Sequence, residues 1–119
     1  MDIAEHAELI RAQFTASRRL LTAIGDETRQ AIILTLMESD CSGIRVGEIT
    51  RKIHLSRPAV SHHLKILLDA NMVGMTKQGT MNFYWLNLDA EWDTLVALIS
   101  NIEKLRVVEE NCDCGEVSL

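Results

Sequence analysis

The sequence predicts a mainly α fold with one β-hairpin, a winged helix-turn-helix carrying an extra helix at each end. Three observations predict it. Val60, Leu64, Leu67 and Leu68 form a helical stripe directly behind a short helix and a tight connection. A stretch of period two follows, folded about Gly79. Helical periodicity then occupies both ends of the chain. A length of 119 residues, 47% of them hydrophobic, fits one domain with a real but modest core, which a partner subunit would enlarge.

Taken in order, Ile3 to about Ile24 reads as the first helical segment, with Ile3, Ala7, Ile10, Phe14, Leu20, Leu21 and Ile24 near helical spacing. Gly25-Asp26 breaks the chain and restarts it, Asp26 serving as N-cap of a helix to about Glu38. That helix is apolar on most sides (Ile32, Ile33, Leu34, Leu36, Met37), as expected of a central core helix. Ser39 to Gly43 is a loop by composition. A short helix from about Val46 to Ile53 turns Val46, Ile49 and Ile53 inward, and His54-Leu55-Ser56 connects it tightly to the next.

Ser56 is the natural N-cap of the helix that follows, and Pro58 falls in its first turn, where a missing N–H costs little. This helix runs to about Ala70 and ends at Asn71. Met72 to Thr76 and Met81 to Leu86 then flank Lys77-Gln78-Gly79-Thr80 as a hairpin. A last helix from about Asp89 to Glu110 carries Trp92, Leu95, Val96, Ile99 and Ile102 on one face. The expected organisation is one domain over residues 1–110 and an aperiodic, Cys-containing tail over 111–119.

Helix geometry gives the central helix its chemistry. Each residue advances about 100°, so Val60, Leu64, Leu67 and Leu68 cluster while Pro58, Ala59 and His62 lie opposite, flanked by Ser61 and Lys65. Anchoring the leucines forces a small, polar, partly basic face outward, as insertion into a major groove demands. The helix N-terminus, with Arg57 beside it, suits a phosphate or a guanine. Lys77 at the hairpin tip offers one backbone contact. The expected DNA-facing set is therefore Ser56, Arg57, Ala59, Ser61, His62, His63, Lys65 and Lys77. His62 and His63 are adjacent and diverge on a helix, so they do not chelate one metal as an i, i+4 pair does.

Charge supports this reading. The chain carries a net −5, yet between Ile49 and Leu88 five basic residues (Arg51, Lys52, Arg57, Lys65, Lys77) face Asp69 alone. The local +4 leaves −9 on the remainder, and it is the local potential that attracts a phosphate backbone. No stretch approaches the roughly 18 apolar residues of a membrane span. The acidic start Met1-Asp2-Ile3-Ala4-Glu5 lacks the basic opening of a signal peptide, so a cytoplasmic location is expected. Glycine-rich phosphate loops, nucleophile elbows and HExxH motifs are absent, which argues against an enzyme. A winged-helix protein-interaction module is the alternative from another class.

Gly25-Asp26-Glu27-Thr28-Arg29, Val46-Gly47-Glu48-Ile49, the run from Leu55 to Lys65 and Ala70-Asn71-Met72-Val73 together resemble the ArsR/SmtB family. The resemblance spans roughly Ala23 to Leu88. It implies a homodimeric repressor of double-stranded operator DNA that an inducer releases, with the first and last helices forming the dimer interface. Ile44-Arg45-Val46-Gly47 stands where some members carry a cysteine pair, and the last helix lacks the histidines of members that sense zinc, cobalt or nickel. Cys41, Cys112 and Cys114 remain as candidate thiolate ligands for arsenite or a soft metal. The same thiols suit a disulfide or persulfide switch, or no sensing role at all.

Overall fold

The computed structural model describes residues 2–40, 42–89 and 91–110. Six helices and a two-stranded antiparallel sheet follow one another: α1 (Ile3–Ala16), α2 (Arg18–Ile24), α3 (Glu27–Glu38), α4 (Val46–Ile53), α5 (Arg57–Asp69), β1 (Val73–Gln78), β2 (Met81–Leu86) and α6 (Glu91–Glu110). The expected fold class, mainly α with a hairpin wing and a helix added at each end, is the observed one.

The core gathers one face from each central element. Ile32, Ile33 and Leu36 of α3, Val46 and Ile49 of α4, and Val60, Leu64 and Leu67 of α5 are all buried. Leu20 and Ala23 of α2 and Met72 and Val73 at the start of the hairpin complete it. Leu68, counted in the α5 stripe, lies at its edge and is half-buried.

Two sequence expectations change. The first helical segment is two helices, because Ser17 leaves the helical path at φ −94°, ψ 2°. Ser17 is buried, and its hydroxyl has no hydrogen-bond partner among the described residues. No proline or glycine marks this joint, which is why periodicity alone ran through it. Second, α3 is not buried on most sides: Leu34 and Met37 are 56% and 59% exposed. The helix packs against α2, α4, α5 and β2 but leaves that flank open.

The hairpin is tighter than the sequence suggested. Gln78 pairs with Met81, so the turn is Gly79-Thr80 alone and Lys77 sits in the strand opposite Asn82. Gly79 takes φ 64°, which a residue with a Cβ rarely adopts. Tyr84 and Leu86 face the core, and Ile44 bridges to Tyr84 through paired backbone hydrogen bonds of 2.9 and 2.8 Å. On the other face the Trp85 indole lies over Gly74, where a Cβ would come within 2.2 Å of the ring. Trp85 Nε1 donates to Thr76 Oγ1 at 3.0 Å.

α1 and α6 pack along each other outside this core. Asn101 Nδ2 donates to Gln13 Oε1 at 2.9 Å, and His6 Nε2 lies 2.6 Å from the Asn101 carbonyl. Among the described residues the buried apolar side chains that belong to this layer are Ile10 and Leu98. Ile3, Phe14, Val96, Ile99 and Ile102 stay exposed. Trp92 and Leu95 join α6 to the core at its other end.

Leu67 is fully buried at the centre of this arrangement. Leu67→Ala is expected to destabilise the fold by about 2–5 kcal/mol, the usual cost of a leucine-sized cavity. Urea unfolding followed by circular dichroism measures it. A loss below 1 kcal/mol would show that α5 is not anchored by this stripe.

Candidate nucleic-acid interface

Local sequence sets the start of α5. His54 closes α4 in the left-handed region at φ 56°, its N–H bonded to the Thr50 carbonyl at 2.9 Å, and turns the chain sharply. Two residues later Ser56 caps α5, its Oγ accepting from the Ala59 N–H at 3.3 Å. The cap and Pro58 in the first turn leave the free N–H groups of the helix start at an exposed edge.

The buried stripe then sorts the side chains. Ser56, Arg57, Ser61, His62 and Lys65 are exposed on one side of α5, and Ala59 is half-buried at its margin. His63 differs from the expectation. Its side chain is 19% exposed and turns to the protein body, with Nδ1 3.2 Å from Arg29 Nη1 and 3.8 Å from Asp26 Oδ2. A guanidinium only donates, so the Arg29 contact uses the lone pair of Nδ1. His63 thus helps to seat the helix and leaves the outward set.

Arg29 is the centre of this contact. Nε donates to the Ala23 carbonyl at 2.7 Å and Nη2 to the Thr22 carbonyl at 3.0 Å, while Nη1 meets His63. One planar side chain therefore ties the end of α2 and the start of α3 to the middle of α5. Asp26 caps α3 by accepting the Arg29 N–H at 2.9 Å. That backbone hydrogen bond is the chief reason the Asp26 carboxyl titrates below its ordinary value; partial burial opposes the shift, and the charge of Arg29 assists it.

Arg45 was not among the residues singled out by sequence, because it precedes the basic segment counted from Ile49. The fold brings it beside Arg57. Arg45, Val46, Gly47, Arg57, Thr80 and Asn82 line a cleft of about 190 Å³ between the starts of α4 and α5 and the hairpin turn. Arg45 Nη1 lies 3.2 Å from Met81 Sδ, and Arg51 shares a neighbouring hollow with Arg45. Lys77 is exposed on β1, two residues before the turn rather than at its tip. The arrangement presents cations and small polar groups on one surface made of two helix starts and a hairpin.

Cys41, Cys112 and Cys114, the thiolate candidates, lie outside the described residues, as does the tail 111–119. Among the described residues no group of three His, Cys, Asp or Glu side chains converges as a metal site. No helix among them is long and apolar enough to cross a membrane.

Comparison with known proteins points the same way. The family model described as bacterial regulatory protein, arsR family, matches residues 26–74, from the α3 cap into β1. The chain is 32% identical over 82 residues to the transcriptional repressor SdpR of Bacillus subtilis, covering 69% of this chain and 88% of that protein. It is 30% identical over 90 residues to an HTH-type transcriptional regulator of Methanocaldococcus jannaschii, covering 76% and 98%. An ArsR-like transcriptional regulator from a Rhodococcus species has the same fold, with a TM-score of 0.69 at 23% identity over 88% of this chain and 97% of that one.

Asp26 gives a pH signature of the α3 cap. Its carboxyl is lowered from 3.8 in the folded chain, so the stability it contributes is present above that value and is lost as pH falls through the lower folded value. Asp26→Asn is expected to make the acid limb of the stability curve shallower below pH 3.8. Urea midpoints measured against pH test this. Parallel acid limbs for the two proteins would remove Asp26 from the account.

Proposed function

This chain belongs to the arsR family of bacterial regulatory proteins, and on that premise we propose that it represses transcription by binding a two-fold operator as a homodimer and leaves it when an effector binds. One observation carries the DNA-binding part. The buried Val60, Leu64 and Leu67 lock α5 so that Arg57, Ser61, His62 and Lys65 stand outward beside a hairpin. Short side chains permit close approach to base edges, and the long cations reach bases or phosphates.

The roles divide by position. Arg57 and Ser61 near the N-terminal end of α5 read bases, and Lys65 and Lys77 meet backbone. Ser56 and the first N–H groups of α5 receive a phosphate. Arg45 lines a cleft beside Arg57 with Thr80 and Asn82, and there Arg45 suits a phosphate held between helix and wing while Arg57 reaches past it to the bases. His62 lies on the outward face as a base or backbone contact, whereas His63 acts through Arg29 as a positioning residue.

The exposed apolar side chains of α1 and α6 support the dimer. Ile3, Phe14, Val96, Ile99 and Ile102 form faces on a two-helix layer that buries little of its own. A second copy of the same layer removes them from water, and a two-fold axis between the copies sets two α5 helices about 34–36 Å apart for successive major grooves. The family and the relatives are transcriptional regulators and not enzymes.

Arg57→Ala is expected to weaken operator binding by about 1–3 kcal/mol with relaxed sequence preference, and Lys65→Ala to weaken it uniformly and lower the salt slope by about one. Gel-shift titrations at several salt concentrations, on a duplex from upstream of the gene, read both. Unchanged affinity for both variants would overturn the assigned face. Val96→Glu with Ile99→Glu is expected to convert a dimer to a monomer in sedimentation equilibrium while circular dichroism stays native. A wild-type chain that sediments as a monomer at micromolar concentration would end the dimer reading.

A further inference from the structure

The surface on the other flank of α5 from the hairpin has a chemistry of its own. A cavity of about 590 Å³ lies between α2 and the last turn of α5, lined by Arg18, Arg19, Thr22, Ile66, Asp69 and Ala70. Its size is within the range of about 300–1,000 Å³ typical of small-molecule sites. A second hollow of about 330 Å³ adjoins it and shares Arg18, Arg19 and Ala70, so the two arginines stand between them. In a chain of net charge −5, neither arginine side chain forms an ion pair with a described residue. Arg18 and Arg19 both line the groove above an apolar wall of Ile66 and Ala70, and their long side chains can turn toward one planar or tetrahedral oxyanion, on the side away from Asp69.

We propose that this groove binds a small anionic effector, a multiply charged carboxylate or phosphate, through Arg18 and Arg19. The proposal rests on the reading of the chain as an effector-released repressor and names the effector's class. Asp69 at the rim accepts a hydrogen bond from a hydroxyl or amine of the same molecule, which favours an anion that also carries a donor. Ile66 and Ala70 take the short carbon frame.

The position gives such a ligand leverage over the recognition helix. One wall of the groove is α2 and the other is α5 itself. Thr22 lines the groove, and its carbonyl accepts from Arg29 Nη2, whose Nη1 meets His63 on α5. A ligand that draws Arg18, Arg19 and Thr22 together therefore acts on the same seat that fixes the angle of α5. Ser17, between the lining residues Ala16 and Arg18, keeps a buried hydroxyl without a partner among the described residues.

The test uses the full chain, labelled with ¹⁵N and titrated with citrate in one arm and inorganic pyrophosphate in the other, ionic strength held constant with chloride. Saturable amide shifts are expected at Thr22, Ile66, Asp69 and Ala70 in at least one arm, and the arm that saturates separates carboxylate from phosphate as the source. The R18Q/R19Q double variant is expected to lose about tenfold or more of that affinity, and R18K/R19K to retain part of it. Without anion, R18Q/R19Q is expected to bind operator DNA within about twofold of wild type.

Three results would overturn the site. Shifts that never saturate in either arm leave no groove ligand of this class. Shifts that persist unchanged in R18Q/R19Q place the anion elsewhere. A large loss of operator affinity in R18Q/R19Q makes the two arginines DNA-backbone contacts instead. The amide titration needs no DNA, so failure of the operator-binding reading shows separately, as a wild-type protein that shifts no duplex.

Discussion

Val60, Leu64 and Leu67 of α5 are withdrawn almost wholly from solvent, and three helices and the base of the hairpin close over them. Rotating α5 by even one residue would carry a leucine into water and bring Lys65 or His62 into the core. Fully burying one such side chain is worth about 1.5–3 kcal/mol, and burying an unpaired charge costs more. The rotation of the helix is therefore fixed by packing, and the chemistry of its outer face follows from that constraint. Arg29 adds direction to it. Hydrophobic burial does not by itself choose the tilt of a helix, whereas a guanidinium bonded at once to Ala23, Thr22 and His63 does.

The order of elements and the outward face were legible because each rests on local signals. Ser56 and Pro58 mark the start of α5, the leucine spacing marks its buried side, and the period-two stretch marks the wing. The signals failed where structure depends on contacts far apart in sequence. His63 sits on the margin of the helix where geometry alone permits either side, and its partner Arg29 lies 34 residues earlier. Nothing within one turn of His63 announces that partner. Arg45 reaches the interface only because Ile44 bridges to Tyr84 and seats the preceding loop against the wing. Ser17 interrupts the first helical segment without the glycine or proline that sequence reading relies on.

The molecule has two layers with different demands. The central layer holds its buried apolar residues from α2 to β1 in one cluster, with Leu34 and Met37 of α3 left outside it. The layer of α1 and α6 buries Ile10 and Leu98 among the described residues and leaves Ile3, Leu9, Phe14, Val96, Ile99, Ile102 and Val107 exposed. This division suits a regulator whose reading heads are rigid and whose joining surface is completed by association. The groove beside α2 lies where the two layers meet, since α2 continues from α1 across Ser17 and packs on α3 and α5. A molecule held there touches α2, which follows directly on α1, and the last turn of α5.

Trp85, held flat against Gly74, gives the protein an optical property as well as a structural one. The chain has two tryptophans: Trp85 on the open face of the wing, and Trp92 at the base of α6, its Nε1 bonded to the Asn87 carbonyl. Both indoles are half-buried, one on the wing and the other on the last helix. Replacing either one with phenylalanine leaves a single tryptophan, so emission excited selectively at the indole can follow the wing or the long helix alone, without an attached dye.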